Sequence, residues 1–166
     1  MKHILRIFIV VCITLGLTAC AQAPSAAPSV VFYYCAATPS YDTIATITAT
    51  ESRANIPVDA SLEDILRIYI MGPEAEDLRS PFPAGLQLIR AYQEEGTVFV
   101  TLSEEMADLT NLDLTIACGC ITLTCLELTD AQQVTIEVEN ALLGGQKSIT
   151  MDQNSLLLKD QAAEGA

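Results

Sequence analysis

Ser61–Met71 reads SLEDILRIYIM, and its apolar residues Leu62, Ile65, Leu66, Tyr69 and Ile70 recur at helical rather than strand spacing. Ser61 can cap the first turn together with Asp64 three residues on, and Gly72-Pro73 stops the run. On either side the period changes. Val30–Cys35 (VVFYYC) and Thr43–Thr50 (TIATITAT) are rich in β-branched and aromatic residues and read as strands. Downstream, Leu86–Tyr92 and Thr97–Leu102 flank a turn at Glu94-Glu95-Gly96 and read as a hairpin. One helix set among strands of this kind excludes both an all-α and an all-β chain.

The second half repeats the alternation. Ser103 can cap a turn bearing Glu104 and Glu105, whose charges suit the positive end of a helix. Asp113–Leu128 then carries Leu114, Ala117, Cys118, Ile121, Thr124, Cys125 and Leu128 in one apolar row, with Ile116, Cys120 and Leu123 in a second. A helix is the preferred reading, while Thr and Ile make a strand over Ile121–Leu126 the competing one. Gln133–Asn140 alternates Val134, Ile136 and Val138 with polar residues, a strand with one wet face. Ser148–Leu158 completes the set as a final hairpin arm. The expected class is α+β, a single small domain over residues 30–158 in which a mixed or antiparallel sheet packs against two helices.

The chain begins with a different grammar. Lys2, His3 and Arg6 precede the apolar stretch Ile7–Leu17, which is too short to cross a hydrocarbon core of about 30 Å, and Leu17-Thr18-Ala19-Cys20 follows at once. Residues 1–19 therefore read as an export signal. Leu-Thr-Ala-Cys resembles the lipobox of bacterial lipoproteins, in which the cysteine sulfur takes a diacylglyceryl group and becomes the first residue after cleavage. Cys20 is the expected lipid attachment site, and two acyl chains hold a protein durably at a membrane. Residues 20–29, small, uncharged and proline-containing, read as a tether, and residues 159–166 as a disordered tail.

A formal charge of −13 narrows the function classes. Such a surface repels phosphate, so no nucleic-acid partner is expected. The sole histidine, His3, lies in the signal segment, and there is no tryptophan. Without it, Ser-His-Asp and Cys-His catalysis and histidine-ligated metal sites are excluded from the exported domain. The Glu94-Glu95 and Glu104-Glu105 pairs are the candidates for paired-carboxylate chemistry on sugar chains, although adjacency in sequence does not set the separation across a cleft that this chemistry needs. No Ca²⁺ loop of the D-x-[DN]-x-[DN]-G type occurs. The expectation is a non-enzyme without catalytic residues, cofactor or metal site.

Four cysteines remain after Cys12 and Cys20 are set aside: Cys35, Cys118, Cys120 and Cys125. In a helix Cys118 and Cys125 share a face, while Cys120 points about 200° from Cys118. Buried thiols, a disulfide through Cys35, and a thiolate metal site all stay open, but a Cys118–Cys120 disulfide within the helix is disfavoured by geometry.

Four segments in order carry a family resemblance: Leu62–Pro73 ending in Gly-Pro, Leu78–Pro83 with Ala84-Gly85 before a strand, Val98-Phe-Val-Thr-Leu-Ser103 opening a helix, and Val134-Thr-Ile-Glu-Val138. The ordered set resembles the GerMN domain, a sporulation and spore-germination module of envelope lipoproteins in Gram-positive bacteria. The resemblance spans roughly residues 30–145 and a single copy, where germination proteins of this type often carry two. It implies a fold similar to the ring-building motifs that pack side by side in envelope assemblies, in modules not known as enzymes. The function so implied is docking onto an envelope protein or onto itself, outside the cytoplasmic membrane. A module binding peptidoglycan or a divalent cation is the alternative.

Overall fold

The computed structural model describes residues 29–38 and 47–155. In chain order the elements are strand β1 (Val30–Ala36), strand β2 (Thr48–Arg53), helix α1 (Leu62–Ile70) and strands β3 (Leu78–Arg79), β4 (Leu88–Glu94) and β5 (Thr97–Leu102). A 3₁₀ turn (Glu104–Asp108), helix α2 (Asn111–Leu128), strand β6 (Gln133–Val138) and strand β7 (Ser148–Asp152) follow. The α+β class and the two helices match the sequence reading. The strands divide into two sheets, a three-stranded one in the order β2-β1-β3 and a four-stranded one in the order β4-β5-β6-β7. All neighbours are antiparallel except β5 and β6, which run parallel and are joined through α2.

Local chemistry explains the boundaries. Ser61 Oγ accepts from the Asp64 amide at 3.1 Å while Asp64 Oδ2 accepts from the Ser61 amide at 3.3 Å, a reciprocal cap on α1. The β4–β5 hairpin turns on Glu95 (φ 47°) and Gly96 (φ 75°), both in the left-handed region that a tight two-residue connection requires. Strand β2 lies further along the chain than its Thr-rich run suggests, and residues 43–46 of that run lie outside the described residues. Its pairing with β1 runs from Cys35↔Thr48 to Val30↔Arg53, so Glu51, Ser52 and Arg53, poor strand formers by type, are held extended by their neighbour. Strand β4 likewise starts at Leu88 and carries a register shift between Leu88 and Arg90. Ser103 does not cap the 3₁₀ turn: its hydroxyl donates to Glu105 and accepts from the Gln87 amide at 2.9 Å, tying the start of the hairpin to its end.

Helix α2 is helical throughout, Ile121–Leu126 included, and is buried on nearly every side. By length and composition it could cross a membrane, yet it lies inside the fold. It packs between β1 of one sheet and β6 and β7 of the other. Leu114, Ala117, Cys118, Ile121 and Cys125 join the main core with Val98, Val100, Val134 and Ile136, while Ile116 and Cys120 pack with Cys35 in a separate small cluster. A helix covered from two directions needs no polar face.

At Tyr33, strand β1 has β2 on one side only, because β3 reaches no further than Cys35. Side chains take the place of the missing strand. The Tyr33 amide donates to Thr124 Oγ1 of α2 at 3.0 Å, and the Tyr69 hydroxyl of α1 donates to the Tyr33 carbonyl at 2.7 Å. Helix α1 closes the edge of β4 in the same way, with Arg67 donating to the Leu88 carbonyl at 3.2 Å and Glu63 accepting from the Ala91 amide at 3.5 Å. Replacing Thr124 by Val, which keeps the shape and removes the acceptor, is expected to lower unfolding free energy by about 1–3 kcal/mol in urea titrations, and Thr124→Ser to recover most of that loss.

Candidate functional site

The aromatic residues divide sharply between core and surface. Phe32 and Tyr34 are both fully buried and pack on Tyr69 at centroid distances of 5.2 and 5.1 Å, with Phe82 edge-on to Tyr69 at 5.1 Å. The Tyr34 hydroxyl donates to the Tyr69 carbonyl at 2.8 Å. This cluster fills the core and offers nothing to a partner. Arg53 covers it at 5.3 Å from the Phe32 ring and donates to Glu51 at 2.8 Å and to the Gly72 carbonyl at 2.6 Å. Glu51 in turn accepts from the amides of Glu74 and Ala75, each at 2.8 Å. The pair fastens the loop after α1 onto β2 with both side chains only 9% exposed. Sequence reading missed it, since residues 51 and 53 carry no sign that a loop twenty positions away will fold over them.

The outer face of the four-stranded sheet is different. Register places Tyr92, Phe99, Thr135 and Thr150 in one row across the strands, and Arg90, Thr101, Glu137 and Ser148 in the next. Tyr92 and Phe99 stack at 5.1 Å with their planes 15° apart, and the Arg90 guanidinium lies 4.8 Å above the Tyr92 ring. Thr101 donates to Glu137 at 2.9 Å, and the hydroxyls of Thr135 and Thr150 are 2.9 Å apart. Tyr92 and Phe99 remain half-buried and Arg90 exposed. The guanidinium over Tyr92 and the Tyr92–Phe99 stack together form a flat aromatic patch with one donor fork on the sheet face.

Depressions of about 320 Å³ beside Glu95, Gln133 and Asp152 and about 360 Å³ beside Leu126, Gln153 and Asn154 are open and shallow. Asp152 holds its carboxyl below the ordinary carboxylate range because the Ser155 hydroxyl and amide donate to it, which is turn chemistry. The two Glu pairs lie beyond opposite ends of β5, and the strand between them is about 20 Å long, so they are not brought together. Glu105 is taken up by Ser103 and sits below its ordinary value for that reason. Among the described residues no three His, Cys, Asp or Glu side chains converge as a metal ion would require. The helix also separates its own cysteines, Cys118 and Cys125 into the main core and Cys120 into the small cluster. Residues 1–19, expected from sequence to be an export signal, and Cys20, the expected lipid attachment site, lie outside the described residues.

The family model for sporulation and spore germination, Germane, matches residues 31–144, from the second residue of β1 to the turn before β7. The chain belongs to the Germane (GerMN) family. The GerMN fold is also found in solved structures. The first GerMN domain of the sporulation protein GerM from Bacillus subtilis is similar at a TM-score of 0.55 and 12% identity, with 75% of this chain and 96% of that one covered. The tandem GerMN domains of the same protein match at 0.51 and 19% identity over 80% of this chain, which spans about half (48%) of theirs. At these identities the likeness is one of fold. No curated protein matches this chain.

Two outcomes follow for this GerMN domain. Glu51→Ala removes the close carboxylate from the buried Arg53, leaving it only Glu74 at 3.9 Å as an ionic partner, and is expected to cost about 3 kcal/mol, read as a fall in the urea midpoint. Burial alone raises the Cys118 and Cys125 thiols to about 12 from an ordinary value of 9.0, and the Tyr34 and Tyr69 hydroxyls upward as well, with burial the first cause. Groups held neutral in this way favour the fold fully below the unfolded values and less as pH climbs toward the folded ones. Thermal unfolding followed by circular dichroism is therefore expected to show Tm falling steadily above about pH 9.

Proposed function

We propose that this protein is an extracytoplasmic lipoprotein, held at the outer face of the cell membrane by a diacylglyceryl group on Cys20, whose GerMN domain docks onto a protein partner in the cell or spore envelope. The observation that carries the docking reading is the Arg90–Tyr92–Phe99 stack on the open sheet face. Lipid recognition finds no support in so acidic a chain, and self-association must overcome like charge. A partner with a basic rim and an apolar centre suits both the stack and the acidic surroundings, and its encounter would be accelerated by charge. The work of such a domain is assembly and not catalysis, in sporulation, germination or cell-wall construction.

The test is a crosslinked pull-down of the full-length protein from its native envelope, read by mass spectrometry together with the mass of the N-terminal peptide. One specific membrane or wall protein is expected, with a diacylated Cys20. Joint replacement of Tyr92 and Phe99 by Ser is expected to cut recovery of that partner by about tenfold or more while near-ultraviolet and far-ultraviolet circular dichroism remain native. Full recovery with the double variant would remove the sheet face from the proposal, and an unacylated Cys20 would remove the anchor.

A further inference from the structure

Two of the four buried thiols are neighbours by construction. The 3.0 Å bond from the Tyr33 amide to Thr124 fixes where β1 and α2 touch. From that point the strand advances two residues to Cys35, roughly 6.6 Å, while the helix steps back one turn to Cys120, roughly 6 Å. The two advances match, so the contact at Tyr33 and Thr124 recurs as a contact between Cys35 and Cys120. They share a small buried cluster with Ile116, apart from the main core. Both are free and almost fully covered, at 3% and 0% exposure. Cys118 and Cys125 pack in the main core cluster with other residues.

We infer that Cys35 and Cys120 are a dithiol pair that closes to a disulfide, stapling strand β1 to helix α2, when the protein meets a disulfide oxidant. The electron balance needs only that oxidant. The Cys35 thiolate attacks one sulfur of the oxidant, forming a mixed disulfide and releasing the first thiolate. Cys120 then loses its proton to solvent and attacks the Cys35 sulfur, displacing the second thiolate. Two protein thiols are oxidised and one external disulfide is reduced to two thiols.

Several features assign the roles. Arg79 lies directly opposite Cys35 across β1 and β3, a cation beside the sulfur that must attack first. The neighbouring Cys120 thiol is the first cause that draws Cys35 down to about 7, with Arg79 acting the same way against burial, while the Cys35 neighbour and burial raise Cys120. Asp113, at the start of α2, acts in the opposite sense on Cys35. Cys35 is thus the attacking sulfur and Cys120 the resolving one. Strand β3, the cover on the Arg79 side, is two residues long, so local opening there admits the oxidant.

The experiment uses the full-length chain with Cys12 and Cys20 replaced by Ser, so that only the four domain thiols respond, fully reduced, then incubated with excess oxidised glutathione and a low concentration of urea to permit opening. Intact mass is expected to fall by two hydrogens, peptide mapping to join Cys35 to Cys120, and Cys118 and Cys125 to remain alkylatable after denaturation. Because the bond closes a loop of about 85 residues, Tm is expected to rise by roughly 10 °C. Cys120→Ser is expected to stop at a glutathione adduct on Cys35, while the joint C118S and C125S variant is expected to form the bond as the parent does. A bond through Cys118 or Cys125, a lasting glutathione adduct on the parent chain, or four thiols still free after opening would each overturn the proposal. The mapping on the parent chain decides the matter even where a variant fails to fold.

Discussion

Everything in this domain hangs from one residue's backbone. Tyr33 sits where β1 lacks a second neighbour, and its amide and carbonyl are satisfied by Thr124 of α2 and Tyr69 of α1. An unpaired backbone group in that position would cost as much as a lost hydrogen bond, so the two helices are bound to the strand by a requirement and not by convenience. Of the two bonds, the one to Thr124 sets the register between β1 and α2, which in turn sets Cys35 against Cys120. They also seat Tyr69 over Phe32 and Tyr34, the largest side chains of the core.

Around that point the two sheets do different work. The three-stranded sheet is inward-looking: Phe32 and Tyr34 are buried, and its Glu51–Arg53 pair is spent on holding the loop after α1. The four-stranded sheet buries one face against α2 and carries rows of half-buried Tyr, Phe, Thr and Glu on the other. An acidic chain with few cations has used Arg53 and Arg67 internally and set Arg90 over an aromatic pair on the surface. For a family whose members share this fold at low identity, the distribution of aromatic and charged side chains over the open face is where individual character can reside.

Much was legible in the residue order. The helix at Ser61–Met71 declared itself by period, cap and stop, and α1 formed there because each of those signals is local. The hairpin across Glu95-Gly96 and the alternation of β6 were equally local. The resemblance to the GerMN domain rested on four such segments in order, and the family match covers them. The second half of α2 was ambiguous because Thr and Ile suit strands when exposed on one face. It became helix because both of its sides are covered, which no residue in the segment announces.

Sequence by itself determined the acidic charge, the lack of any histidine beyond His3, the α+β class and the family, since these depend on composition and on spacings of a few residues. Tertiary structure decided what depends on long-range register. It sorted seven strands into two sheets, moved β2 onto Glu51 and Arg53, and turned Phe32 and Tyr34 inward while Tyr92 and Phe99 faced out. It also chose one partner for Cys35 among three candidates. Helical periodicity could place Cys120 away from Cys118 and Cys125, but only the strand lying against that face could give it a neighbour.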